Sequence, residues 1–326
     1  MLLDFAMIIA GLVLLVFAGD ALVKGAVNLS LRLGIPALIV GLTVVAFGTS
    51  APELLVSIEA ILGNAPALAL GNVVGSNTAN ILLVLGIPAL ITAVPVARSL
   101  ARDFWMMMAA TALFIGLAFL GPLTWMHGLA LLAGLALMLW NSYSRARAHR
   151  NEICNGNGTT SDPLCDDEGL ELEGVEPDIS GWKIALFLLA GIIGLPVGAR
   201  LLVNGSVDIA TYWGVSDAVI GLTLVAVGTS LPELATTVAA ALRREAGVAM
   251  GNVIGSNLFN LLGIIGVATL IGPIPVPLEM LQLDLWVMAA ASALLGFFVY
   301  TGRSITWRAG LGLLLLYALY VIQLFY

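Results

Sequence analysis

Glu53 and Glu233 each follow a proline directly, each within a long apolar run, and each stands three residues after a serine and four after a threonine. At helical spacing this puts Thr49, Ser50 and Glu53 on one face, and Thr229, Ser230 and Glu233 on another. Further along, Asn72, Ser76 and Asn80 are four apart, as are Asn252, Ser256 and Asn260, so two further helices each carry a polar stripe. The set holds carboxylate, hydroxyl and amide oxygens without a matching thiolate or imidazole set. That suits a hard cation such as Ca²⁺, which takes six to eight oxygens at roughly 2.3–2.6 Å, and not zinc or copper. Pro52 and Pro232 cannot donate to the carbonyls of Gly48 and Gly228. Carbonyls around Ala46 to Thr49 and Ala226 to Thr229 are therefore expected to be released, and inside a bilayer they need a partner.

These residues belong to a repeat. Residues 41–86 align with 221–266 at a constant offset of 180, and 23 of the 46 positions are identical. The shared residues include Gly, Thr, Ser, Pro, Glu and Asn, types that a bilayer penalises and that two unrelated apolar helices would not hold in common. Outside the core, Leu22, Val23 and Gly25 match Leu202, Val203 and Gly205, and Asp103-x-Trp105 recurs as Asp284-x-Trp286.

The elements that must position such residues are membrane helices. Sixty per cent of the 326 residues are hydrophobic and 10% charged, with a mean hydropathy of +1.05, which excludes an ordinary soluble domain. Long unbroken apolar runs also exclude a strand barrel. Spans of about 20 residues fit ten stretches at roughly 4–24, 35–62, 66–93, 102–120, 123–141, 182–203, 215–242, 247–272, 282–301 and 305–325. The N-terminus lacks a basic region before its apolar stretch, so that stretch is read as a retained helix and the mature chain as beginning near Met1. With ten spans, 12 of the 13 Lys and Arg residues fall on one face and only Arg200 on the other. Basic residues stay cytoplasmic. The expectation is a multi-pass protein of the cytoplasmic (inner) membrane with both termini on the outer side.

Five spans per repeat is odd, so the second copy must cross the bilayer in the opposite sense. The predicted fold is an all-α polytopic membrane protein, ten transmembrane helices forming two inverted five-helix repeats, 1–141 and 182–326. Inverted repeats characterise secondary transporters, with the site at mid-membrane. Between the repeats, residues 142–181 form an acidic linker expected to be cytoplasmic and solvated. It lacks the spacing of a calcium loop. Cys154 and Cys165 lie in it and are expected to be reduced thiols. Glu59, whose counterpart is Ala239, is left out of the centre, and Asp20, Asn28, Asp208, Asp217 and Asp284 read as interfacial, with His127 and His149 at the surface. Two points stay open. Asn72 and Asn252 could cap the broken helices or ligate the ion, and Gly71, Gly75, Gly251 and Gly255 read mainly as close-packing positions.

At the Gly-Thr-Ser-x-Pro-Glu and Gly-Asn-Val-x-Gly-Ser-Asn-x-x-Asn motifs, each present twice, the chain resembles the cation/calcium exchanger superfamily, in particular its prokaryotic sodium/calcium exchanger branch. The resemblance implies an antiporter that exchanges cytoplasmic Ca²⁺ for external Na⁺ by alternating access. The residues it implies are Ala46, Thr49, Ser50, Glu53, Ser76 and Asn80 with Ala226, Thr229, Ser230, Glu233, Ser256 and Asn260. Glu53, Glu233 and the carbonyls of Thr49 and Thr229 would hold Ca²⁺, while Ala46, Ala226 and the serines would complete Na⁺ sites. Some members carry Asp where this chain has Asn260, so only two ionisable groups occupy the centre.

The nearest alternatives are a Ca²⁺/H⁺ antiporter and a potassium-dependent Na⁺/Ca²⁺ antiporter. An intramembrane enzyme is not expected, because no Gly-x-Ser-x-Gly or His-Glu-x-x-His motif occurs and neither histidine lies mid-span. A passive channel would not need counter-ions. The expected partners are the transported ions and the lipid bilayer, with no cofactor and no nucleic acid.

Overall fold

A computed structural model describes residues 2–155, 179–213 and 226–324. Within these residues the chain is helical, and its β-type pairing is limited to two isolated bridges. The helices are α1 (Leu2–Leu33), α2 (Ala37–Thr49), α3 (Ala51–Leu62), α4 (Pro66–Ile91), α5 (Arg98–Phe119), α6 (Trp125–Asn155), α7 (Gly181–Tyr212), α8 (Ala226–Thr229), α9 (Leu231–Leu242), α10 (Ala246–Ile271), α11 (Met280–Thr301) and α12 (Trp307–Gln323). Seven of them are long and apolar enough to cross a membrane. Counting the bent pair α2–α3 as one span makes eight, and α9 and α12 are shorter apolar helices. Helix α6 runs on to Asn155, past the expected end of its span; residues 156–178 of the acidic linker, with Cys165, lie outside the described residues, as does Asp217.

Burial is arranged for a lipid solvent. All seven tryptophans are more than half exposed, and most stand near helix ends, where indole rings settle at the headgroup level. Leucines and phenylalanines such as Leu12, Phe17, Leu137 and Leu319 face outward, while Glu53, Glu233, Asn252, Ser256 and Asn260 are at most 1% exposed. Polar residues inside and apolar residues outside is the reverse of a water-soluble domain.

Small residues set the close crossings. Helices α1 and α7 lie antiparallel: a Cβ at Gly11 would stand 2.7 Å from the Gly198 carbonyl oxygen, and one at Gly205 would stand 2.6 Å from that of Asp4. On α10, Gly251 and Gly255 press on α2, each with a carbonyl of α2 (Leu38 and Leu42) 2.6 Å from where a Cβ would be. The close-packing reading holds for this pair. The segment that would face Gly71 and Gly75 in the same way, 218–222, lies outside the described residues.

The two bridges relate the halves. Val94, after α4, exchanges backbone hydrogen bonds of 3.0 and 2.9 Å with Ile305, before α12, and Leu123, before α6, exchanges bonds of 2.8 and 2.9 Å with Ile274, after α10. Val94 and Ile274 are 180 positions apart. Each half therefore joins its α4- or α10-end loop to the loop that precedes the other half's last helix.

Candidate functional site

The site is built at two helix breaks. Ser50 leaves helical geometry (φ −85°, ψ 5°) and Ser230 does the same (φ −88°, ψ 6°), and the axis bends by 43° between α2 and α3. Pro52 and Pro232 fall in the first turn of α3 and α9, where a missing N–H costs nothing. The expected release of the Ala46 carbonyl does not occur: its oxygen accepts from Ser50 N at 3.0 Å and from Thr49 Oγ1 at 3.3 Å. Glu53 and Glu233 also lie in first turns, where the partial positive charge of the helix start favours a carboxylate.

Asn72 and Asn252 brace these breaks in matching ways. Asn72 Nδ2 donates to the Glu53 carbonyl at 3.2 Å and to Ser57 Oγ at 3.2 Å. Asn252 Nδ2 donates to the Glu233 carbonyl at 3.3 Å and to Thr237 Oγ1 at 3.1 Å. Their Oδ1 atoms then cross between halves, accepting from Thr229 at 3.4 Å and Thr49 at 3.1 Å respectively. These bonds give both asparagines a bracing role at the breaks.

Thr49 and Ser256 hydroxyls lie 3.4 Å apart, and Ser50 Oγ donates to Glu233 Oε1 at 2.9 Å. Ala46 and Asn80 are 1% exposed and Ser76 4%, so these first-copy candidates are buried, as are Ser230, Glu233, Ser256 and Asn260. Ala226 starts α8; its side chain is outside the described set.

Among the described residues, ten buried side-chain N and O atoms lack a hydrogen-bond partner. Seven belong to the candidate ligands: both oxygens of Glu53, Glu233 Oε2, Ser230 Oγ, Asn80 Oδ1, and Oδ1 and Nδ2 of Asn260. Buried polar atoms are normally paired. Six of these seven are oxygens, a donor set that fits a dehydrated hard cation.

Sequence reasoning missed several members of this network. Asn77 and Asn257 are each 1% exposed, and Ser57 and Thr237 are fully buried. Their signal was present, since each pair is conserved in kind at the 180-residue offset. Asp103 is fully buried and bonded by Arg145 at 2.6 and 3.1 Å. Asn28, expected at an interface, is instead 5% exposed and donates to the Lys24 carbonyl. Glu59 and Asp208 are exposed, while Asp20 pairs with Arg243 at 2.5 Å.

Comparison with known proteins agrees with this architecture. The family model described as sodium/calcium exchanger protein matches residues 3–144 and 183–326. The putative antiporter CaxA of Alkalimonas amylolytica is 38% identical over 90% of this chain and 88% of its own length. The sodium/calcium exchanger MaX1 of Methanosarcina acetivorans is 34% identical over 99% of both chains. A solved structure of the sodium-calcium exchanger NCX_Mj, soaked with Na⁺ and Sr²⁺, superposes with a TM-score of 0.81 at 31% identity, covering 98% of both chains. Buried oxygens on paired helix breaks, an apolar exterior and these matches together make the chain a member of the sodium/calcium exchanger family, a multi-pass membrane transporter that exchanges cations.

Proposed function

We infer that this protein is a secondary antiporter exchanging Ca²⁺ for Na⁺ by alternating access. The observation that carries the reading is the coincidence of unpartnered buried oxygens with the repeated Glu53 and Glu233 motifs. An ionised carboxylate in the bilayer core costs about 3 kcal/mol even on the mildest scale. Two of them cancel against one Ca²⁺ or against a set of Na⁺ ions, so the loaded carrier can close and switch while the empty one is held back. Glu53 and Glu233 take the Ca²⁺ with the carbonyls of Thr49 and Thr229; Ala46, Ala226, Ser50, Ser230, Ser76 and Ser256 complete the Na⁺ positions, and Asn80 and Asn260 supply neutral amide oxygens.

The architecture belonging to this reading is ten spans in two inverted five-helix repeats, 1–141 and 182–326. The antiparallel α1–α7 pair and the two exchanged loop bridges support the inversion. So do the placement of the basic residues and the relatives named as sodium/calcium exchangers. The linker then faces the cytoplasm and both termini the outer side of the inner membrane.

Purified protein in vesicles loaded in turn with Na⁺, K⁺ or H⁺ tests it. Uptake of radiolabelled Ca²⁺ should follow an outward Na⁺ gradient. Uptake driven by a pH gradient in sodium-free medium, or uptake that requires K⁺, would replace the reading with one of its two alternatives.

A further inference from the structure

Asn77 and Asn257 occupy equivalent positions in the two copies but are engaged differently. Asn257 reaches across the site: its Oδ1 accepts from Asn80 Nδ2 at 3.0 Å, and its Nδ2 donates to the Asn77 carbonyl at 3.4 Å and lies 3.8 Å from Met107 Sδ. Asn77 is turned back on its own helix, with Nδ2 donating to the Val73 carbonyl at 2.7 Å. The bond that would mirror Asn80–Asn257 is Asn260–Asn77, and both of its atoms, Asn260 Nδ2 and Asn77 Oδ1, are buried without a partner. The same one-sidedness holds at the carboxylates. Ser50 donates to Glu233, whereas the mirror atoms, Ser230 Oγ and both Glu53 oxygens, are unpartnered.

Four residues therefore leave unpartnered the very atoms that a mirror-image arrangement would pair. Met107 itself has a counterpart in the second copy, because Met288 recurs after Asp284-x-Trp286 as Met107 does after Asp103-x-Trp105, and both are fully buried. Asn80 also shows what the bond does. With Nδ2 held by Asn257, its Oδ1 is left free of protein partners, and a planar amide held at one end presents the other in a fixed direction.

We propose that Asn77 and Asn257 are positioning residues that hold the ion-facing amides Asn260 and Asn80 in alternation. Asn257 holds Asn80 in the state described here, and Asn77 holds Asn260 in its mirror-image state, with Asn257 then turned back on Val253. The inference rests on the alternating-access reading above. It is distinct from the identity of the ions, since it concerns which half is braced in which state. A pair of equivalent asparagines with one bond made and one broken is a two-state element of the kind that inverted repeats can exchange.

The test compares Asn257→Leu with Asn77→Leu, with Asn→Ser at the same position where a Leu variant does not elute as a monodisperse peak. Half-saturating Ca²⁺ is measured at each membrane face in inside-out and right-side-out vesicles. Asn257→Leu should raise it about fivefold at one face and Asn77→Leu about fivefold at the opposite face, the effect of one neutral buried hydrogen bond. The double variant should raise both. Hydrogen exchange of α4 and α10 in detergent without added Ca²⁺ or Na⁺ gives a readout that does not depend on the transported ion: the two single variants should shift the relative protection of these helices in opposite directions. Shifts in the same direction, equal effects at both faces, or no effect from either variant would overturn the proposal, whichever ions the wild-type protein carries.

Discussion

The repeat has two kinds of region, and they have diverged to different degrees. At the helix breaks, Asn72 and Asn252 make corresponding bonds to Glu53, Ser57, Glu233 and Thr237, with distances that agree within 0.1 Å. At the periphery, Asp103 and Asp284 share a sequence context but not a chemistry. Asp103 is fully buried against the Arg145 guanidinium, while Asp284 is partly exposed and accepts from the Tyr320 hydroxyl at 3.0 Å. Asn72 and Asn252 each also accept a hydrogen bond from the other half, from Thr229 and Thr49, so a change in one copy is felt in both. The aspartates hydrogen-bond to the last helix of their own half, α6 or α12, and each has a different partner there. Shared contact across the pseudo-symmetric interface, and not sequence identity alone, is what preserves chemistry.

The largest test of the central region is removal of its charge. Glu53→Gln and Glu233→Gln should each abolish sodium-driven uptake of radiolabelled Ca²⁺ while leaving a folded protein, because one remaining carboxylate cannot neutralise a divalent ion. Sustained flux in either variant would mean that the two halves do not act as one site.

A smaller effect separates the peripheral aspartates from each other. Asp103→Asn strands a largely buried guanidinium and should lower stability by about 3 kcal/mol, the low end for a broken buried pair, since the Arg145 side chain keeps 21% exposure. Asp284→Asn keeps an acceptor for Tyr320 and should cost about 1 kcal/mol or less. Thermal unfolding in detergent, followed by tryptophan fluorescence, would show the difference; equal midpoint shifts would erase the distinction drawn between them.

The finest test returns to the breaks. Asn72→Ala and Asn252→Ala each free a main-chain carbonyl and a hydroxyl, and each should destabilise by about 1–2 kcal/mol. The comparison predicts nearly equal losses. A large inequality in the unfolding midpoints would place most of the bracing in one half.

Much of the site was legible because a bilayer makes polar residues conspicuous. The glutamates, the broken helices and the asparagine stripes stand out against Leu and Val. What escaped notice had a common character: Ser57, Thr237 and Asn257 meet side chains from other helices, at a separation of 15 residues for Ser57 and Thr237 and 177 for the Asn80–Asn257 bond. Spacing along one helix cannot report such pairs. Asn28 was misplaced because it falls beyond the expected first span of roughly 4–24, whereas α1 runs on to Leu33 and packing buries it. The Ala46 carbonyl was expected to be free with its neighbours up to Thr49, yet the N–H that Pro52 lacks would have met Gly48, and Ser50 N still pairs with Ala46.

The amino-acid sequence by itself determined that this chain lives in a membrane, that its halves descend from one unit, and that two acids with neutral oxygens lie where lipid would otherwise forbid them, because hydropathy and residue type are local properties. Only the tertiary structure decided which of two identical residues is bonded. Asn257 and Ser50 bond side chains of the other half while Asn77 and Ser230 do not, because such bonds join residues 177 and 183 positions apart that only packing brings together.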